Sequence, residues 1–165
     1  MLVPADWTDV SDGRMPVFAP PCNGRSIPFF VKVLPKRVGE GEMVQAENEA
    51  LAALKDICRA RPGVIIVADR GFGNQRWLGA VVSNGFHFVQ RLSSVFQVDV
   101  EHHIGGVKEL NLRRGSKPRD WGRGTMGNDE AITGRLVTVY DRKAKEPWYL
   151  VTDMDDVTAE DVVSV

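Results

Sequence analysis

The run Val64-Ile65-Ile66-Val67-Ala68 constrains the fold more than any other feature of this sequence. An unbroken apolar stretch rich in β-branched side chains suits a strand covered on both faces, because a half-exposed strand alternates apolar with polar positions. Just ahead of it, the stretch from Glu42 to Arg61 sets Met43, Ala46, Ala50, Leu54, Ile57 and Cys58 at helical spacing, with Glu47, Glu49, Lys55 and Asp56 largely on other faces. Pro62-Gly63 stops that helix. A helix leading straight into a buried strand implies a mixed α/β sheet.

The rest of the chain fits around this unit. Leu2 to Val10 reads as a strand, although Pro4 sits where a central strand disfavours it, and Ser11-Asp12-Gly13 follows as a turn. Met15 to Ala19 returns, Asn23-Gly24 supplies a second turn, and Ile27 to Leu34 gives a third strand. Asn74 to Asn84 reads as a second helix closed by Gly85, and Phe86 to Leu92 as another strand, so the order is βββαβαβ. Between Ser93 and Pro147 the texture changes to short strands (Phe96 to Val100, Val107 to Leu112, Gly134 to Tyr140) among Gly-rich polar loops, which marks 93–147 as a β-rich insertion. Trp148 to Thr152 adds a strand, and Thr158 opens a last helix with Asp161 as its capping partner.

Composition narrows the function classes. A length of 165 residues predicts one domain, and 21 Lys and Arg against 22 Asp and Glu do not announce a nucleic-acid binder on average, so the distribution of charge decides. The apolar runs are too short to cross a bilayer, and MLVPADW lacks the profile of a signal peptide. Cys22 and Cys58 form neither a metal spacing nor a disulfide framework, which points to a reducing cytoplasm. Gly71-Phe72-Gly73 lacks the third glycine of a dinucleotide fingerprint, and no Walker lysine follows a glycine loop. Consecutive His102 and His103 face opposite ways in a strand, and His87 shows no acidic or thiol neighbour in the sequence, so a zinc site is not expected.

Two aspartates carry the chemistry. Asp69 closes the buried strand, at the sheet edge where α/β folds place their sites. If the first strand pairs beside that one, Asp6 lies next to Asp69, and two adjacent carboxylates repel unless a cation neutralises them. Oxygen ligands without His or Cys favour Mg²⁺ or Mn²⁺, and a pair of such ions roughly 4 Å apart serves phosphodiester transfer. The same residues also suit plainer duties, Asp69 as a cap after a strand and Asp6 as a surface residue. Asp9 would point away from Asp6 along a strand, and Asp12 suits the turn.

Asp6-Trp7-Thr8-Asp9-Val10, Asn23-Gly24-Arg25-Ser26-Ile27-Pro28, Val67-Ala68-Asp69-Arg70-Gly71-Phe72-Gly73, Phe88-Val89-Gln90-Arg91-Leu92 and Trp148-Tyr149-Leu150-Val151-Thr152 occur in this order across almost the whole chain. Together they resemble bacterial insertion-sequence transposases of the DDE type, specifically the insertion-sequence-4 branch. The resemblance implies a ribonuclease H-like fold with a β-rich insertion. It also implies Asp6 and Asp69 as catalytic Mg²⁺ ligands, and DNA cleavage and strand transfer at transposon ends. Intact relatives hold two metals and add a glutamate on a helix after the Trp-Tyr-Leu-Val-Thr strand, within a Tyr, Arg, Glu and Lys signature. This sequence ends at Val165 without that signature and starts almost at Asp6, so a domain truncated at both ends is expected, with little or no transposition by the chain alone. Glu160, Asp161 or the run Asp153, Asp155 and Asp156 could stand in for the missing acid, but they fit a solvated loop and a helix start more simply.

Between Lys108 and Arg123 the chain is locally basic, and Arg113, Arg114, Lys117, Arg119 and Arg123 are candidates for phosphate contact. Trp121, flanked by Gly122 and Gly124, could stack on an unpaired base or pin the loop to the core. The expected setting is the bacterial cytoplasm near the nucleoid, with DNA, another copy or an intact transposase as partner and no membrane. The alternative reading is a non-catalytic remnant that binds DNA or a transposase. A further one is an unrelated metal-dependent phosphodiesterase on the same fold, which needs a third acid from this chain.

Overall fold

The computed structural model describes every residue except Gly24, 59–62, Gly73 and 128–130. The turn expected at Asn23-Gly24 and the stop at Pro62-Gly63 therefore fall partly outside the described residues. The chain starts with β1 (Leu2–Val10) and β2 (Gly13–Phe18), then short strands β3 (Pro21–Cys22), β4 (Arg25–Ser26), β5 (Phe30–Val31) and β6 (Leu34–Pro35). Helix α1 (Glu40–Ile57), β7 (Ile65–Ala68), α2 (Gln75–Ser83) and β8 (His87–Arg91) follow. The segment read as an insertion supplies β9 (Gln97–Val100), β10 (His103–Gly106), β11 (Arg119–Met126) and β12 (Ile132–Val139), and the chain finishes with β13 (Trp148–Thr152) and α3 (Ala159–Ser164).

Eleven of the described strands form one sheet in the order β10-β9-β11-β12-β13-β8-β7-β1-β2-β5, with β6 also on β2. Only β1 with β7 and β7 with β8 run parallel. The other pairs in the sheet are antiparallel. A mixed α/β protein with a large, mostly antiparallel sheet is consistent with the ribonuclease H-like fold that the motifs imply. The insertion prolongs the sheet beyond β13 by pairing β12 on β13, rather than standing apart from it.

Alternation along β1 explains how the two faces divide. Val3, Ala5 and Trp7 are buried with Ala46, Ala50, Leu51 and Leu54 of α1, Trp77, Leu78 and Val81 of α2, and Ile66 and Ala68 of β7. The other face holds a smaller cluster, Val89, Val137, Leu150, Met154, Ala159 and Val162, under the short α3. α2 and α3 both start with side-chain caps, the second of them the one expected at Thr158. The Asn74 side chain accepts the Trp77 N–H at 2.8 Å, and Thr158 and Asp161 exchange hydrogen bonds as a capping box.

Three expected elements differ. The third strand, expected at Ile27 to Leu34, is two dipeptide strands at the sheet edge, in one register on β2; the ladder lapses where Lys32 comes opposite Pro16, which has no N–H to give. Val107 to Leu112, expected as a strand, begins with a 3-10 turn over Val107–Leu110, closed by the Glu109 carboxylate accepting the Gly106 N–H. The basic stretch read as a loop up to Arg123 becomes β11 from Arg119 onward. Gly124 allows it, since a Cβ there would lie 1.9 Å from the Asp99 carbonyl oxygen of β9.

Candidate active site

β1 and β7 are in parallel register from Leu2 beside Ile65 to Ala5 beside Ala68. One position further, the same register sets Asp6 beside Asp69, on strands about 4.8 Å apart. Ala5 and Ala68 face the helices and are buried, so the next residue on each strand turns to the opposite face. There Asp6 and Asp69 are both exposed, and both line one cleft of about 350 Å³. Val67, Val89 and Leu150 contribute to its apolar lining, and Arg91 and Trp148 join the two acids around it. Asp9, the competitor for the first role, forms an ion pair with Arg14 at 3.2 Å instead.

The surroundings of Asp69 come from neighbouring strands. Arg91, at the matching end of β8, places Nη1 3.5 Å from Asp69 Oδ1 and Nη2 2.6 Å from Glu146 Oε1. Arg70 reaches both carboxylates as well, at 4.0 Å to Asp69 and 3.2 Å to Glu146. The Arg91 guanidinium lies 5.4 Å from the Trp148 ring centre. From the helix-covered side, the fully buried Gln90 donates its amide N–H to the Asp69 carbonyl oxygen at 2.7 Å, which holds the backbone where β7 ends. Behind Asp6, the Trp7 indole N–H donates to Glu47 at 3.2 Å, and burial, opposed by that hydrogen bond and by Arg76, pushes the Glu47 carboxyl above its usual range.

Two carboxylates with open space before them match what Mg²⁺ takes from protein, which is commonly one or two acids with water and substrate phosphate completing the shell. Among the described residues no group of three His, Cys, Asp or Glu side chains is placed to hold an ion. Three of the acids considered as stand-ins, Asp153, Asp155 and Asp161, are engaged elsewhere. β13 runs antiparallel to β8 with Thr152 beside Val89, so Asp153 follows at the opposite end of the sheet, about 10 Å along the strand direction from Asp69. Its carboxylate meets His87 Nδ1 and the Phe88 N–H, both at 2.8 Å, so His87 does have an acidic neighbour that the sequence did not reveal. Asp155 pairs with Arg123, and Asp161 caps α3.

The candidate DNA contacts separate in the same way. Arg113, Arg114, Lys117 and Arg119 are exposed. Trp121 is 5% exposed, and its indole N–H donates to Thr138 Oγ1 at 2.9 Å while Arg119 lies over its ring, so it pins β11 to the core and is not free to stack on a base. Arg123 is occupied by Asp155 at 2.8 Å. Sequence reading passed over Glu146 and the role of Arg91. A lone charge closing β8, just as Asp69 closes β7, is the signal that could have found the arginine.

The sheet is thus mixed, with Asp6 and Asp69 at the same end of two central parallel strands. Residues 38–164 match the family model of the transposase DDE domain. The chain belongs to that family; Asp69 lies inside the matched stretch and Asp6 ahead of it. No curated protein matches the chain. Among solved structures, an Argonaute of Marinitoga piezophila in complex with 5′ OH guide RNA is similar at 7% identity and a TM-score of 0.49, over 98% of this chain and 24% of that one. No helix among the described residues is long and apolar enough to cross a membrane.

Proposed function

We propose that this chain is the catalytic part of a DNA transposase of the insertion-sequence-4 branch, working in the cytoplasm on transposon ends, with Asp6 and Asp69 as its metal-holding carboxylates. The observation that carries this reading is the β1 and β7 register, which puts two exposed acids on one cleft. Bound Mg²⁺ or Mn²⁺ would supply activation of a water or hydroxyl and stabilisation of the leaving oxygen. Gln90 fixes the main chain at Asp69, and Arg91 balances the negative charge at the cleft between Asp69 and Glu146. Arg113, Arg114, Lys117 and Arg119 give the phosphate backbone cationic contacts.

Cleavage by the chain alone is weak in this reading, because two carboxylates orient a metal less firmly than three. Asp69 already has two arginines for neighbours, which favours, as second reading, a DNA-binding remnant without catalysis. Nicking of supercoiled plasmid with Mg²⁺ or Mn²⁺ separates the two. Slow nicking, reduced at least about 100-fold by Asp69→Asn, supports the catalytic reading. Metal-independent DNA binding without nicking supports the remnant, and robust cleavage lost in Asp69→Asn overturns the weakness assigned to the isolated chain.

A further inference from the structure

We infer that the connections at 111–118 and 141–147 form a single phosphate-binding crest beside the cleft, so that the DNA backbone is held by a second loop that the basic stretch before β11 does not include. Hydrogen bonds join the two segments. The Gly115 N–H donates to the Tyr140 carbonyl oxygen at 2.6 Å, and Arg114 donates to the Ala144 carbonyl oxygen while lying 5.3 Å from the Tyr140 ring centre. Gly115 adopts φ +77, and a Cβ there would come within 2.7 Å of the Arg142 side chain, so glycine lets Arg142 lie directly against the first loop.

Charge gives the crest its purpose. Arg113, Arg114, Lys117, Arg119, Arg142, Lys143 and Lys145 face only Asp141 and Glu146 within these segments and the adjoining Arg119, in a chain whose net charge is -1. All seven cations are exposed, and among the described residues none forms an ion pair. Asp141 accepts the Lys143 backbone N–H at 2.7 Å, and Glu146 is held by Arg91 and Arg70. Gathering like charges without acidic partners does nothing for stability, whereas a polyanion releases counterions on meeting them. The crest also lies at the right end of the sheet. Val139 pairs with Trp148 and Leu150 with Arg91, so both loops emerge where β7 and β8 end, and Glu146 links the second loop through Arg91 to Asp69.

The identity of the polyanion as DNA rests on the transposase reading; the crest itself does not need catalysis. Fluorescence anisotropy of a labelled DNA duplex in EDTA, over a series of salt concentrations, tests it without cleavage. The triple variant Arg142→Gln, Lys143→Gln, Lys145→Gln should lose at least about tenfold in affinity at 0.1 M salt, with the salt slope shallower by about 0.9 for each contact removed. Arg113→Gln with Lys117→Gln should act in the same direction from the other loop, and Lys108→Gln, at the opposite end of the sheet, should change neither quantity. Unchanged affinity and slope in both loop variants would overturn the crest, even if nicking still depends on Asp69. Binding that depends on the crest, in a chain that nicks nothing, leaves the inference standing and removes the catalytic reading alone.

Discussion

Where β8 begins, the Asp153 carboxylate takes both His87 and the Phe88 N–H; where β8 ends, Arg91 is shared between Asp69 and Glu146, with half-exposed acids on either side. The contrast extends across the sheet. On the first side Arg135, 12% exposed, grips Asp120 at 2.6 Å and donates to the carbonyl oxygen of Val157, while Arg123 holds Asp155, so the approach to α3 is tied down by closed pairs. On the second side seven cations and the acids of the cleft face outward. Charge thus serves different ends on the two sides: charge closed into pairs fixes a connection, and cations without acidic partners are available to something outside the molecule.

The largest expected effect lies in the closed region. Arg135→Ala takes the counter-charge from Asp120, leaving it the Gly122 N–H alone, removes the Arg135 donor from the Val157 carbonyl, and should cost about 3 kcal/mol in urea unfolding. A loss no larger than that of an exposed crest residue such as Lys143→Ala would erase the distinction between the two ends. Trp121→Phe comes next: it strands Thr138, 1% exposed, and should cost about 1 to 2 kcal/mol with DNA affinity unchanged. Weaker DNA binding by a variant that melts like the parent would return Trp121 to the binding surface.

The smallest effect is one of pH. Burial raises the Asp120 carboxyl, but hydrogen bonds from Arg135 and the Gly122 N–H, with the charge of Arg135, outweigh it and hold the group below its usual range. A lowered pKa in the folded state contributes stability that is complete above the ordinary aspartate range and disappears as pH falls through the folded value. Asp120→Asn should therefore flatten part of the acid limb of a melting curve against pH. An acid limb identical in parent and variant would show that the pair adds nothing there.

The sequence made some of this plain and concealed the rest for physical reasons. α1 and β7 were readable because helical spacing and an unbroken β-branched run are local properties, and Thr158 announced its helix through a short-range cap. The nearness of Asp6 and Asp69 followed from a guess about strand order, which periodicity alone does not fix. β11 was hidden because Gly122 and Gly124 look like loop residues, while Gly124 serves the close approach of β9. The fates of Trp121, Arg123 and His87 depend on which distant side chain faces each one, and the register of the added strands settles that. Arg142, Lys143 and Lys145 were overlooked because two short basic segments become one surface only when their loops touch.

The pairing of β1 with β7 bears on the order in which the cleft is assembled. Between Asp6 and Asp69 the chain runs through a hairpin and an eighteen-residue helix. Contacts so far apart in the chain form late, after the intervening loop entropy has been overcome. The cleft lined by Asp6 and Asp69 is therefore completed only when segments far apart in the chain have come together.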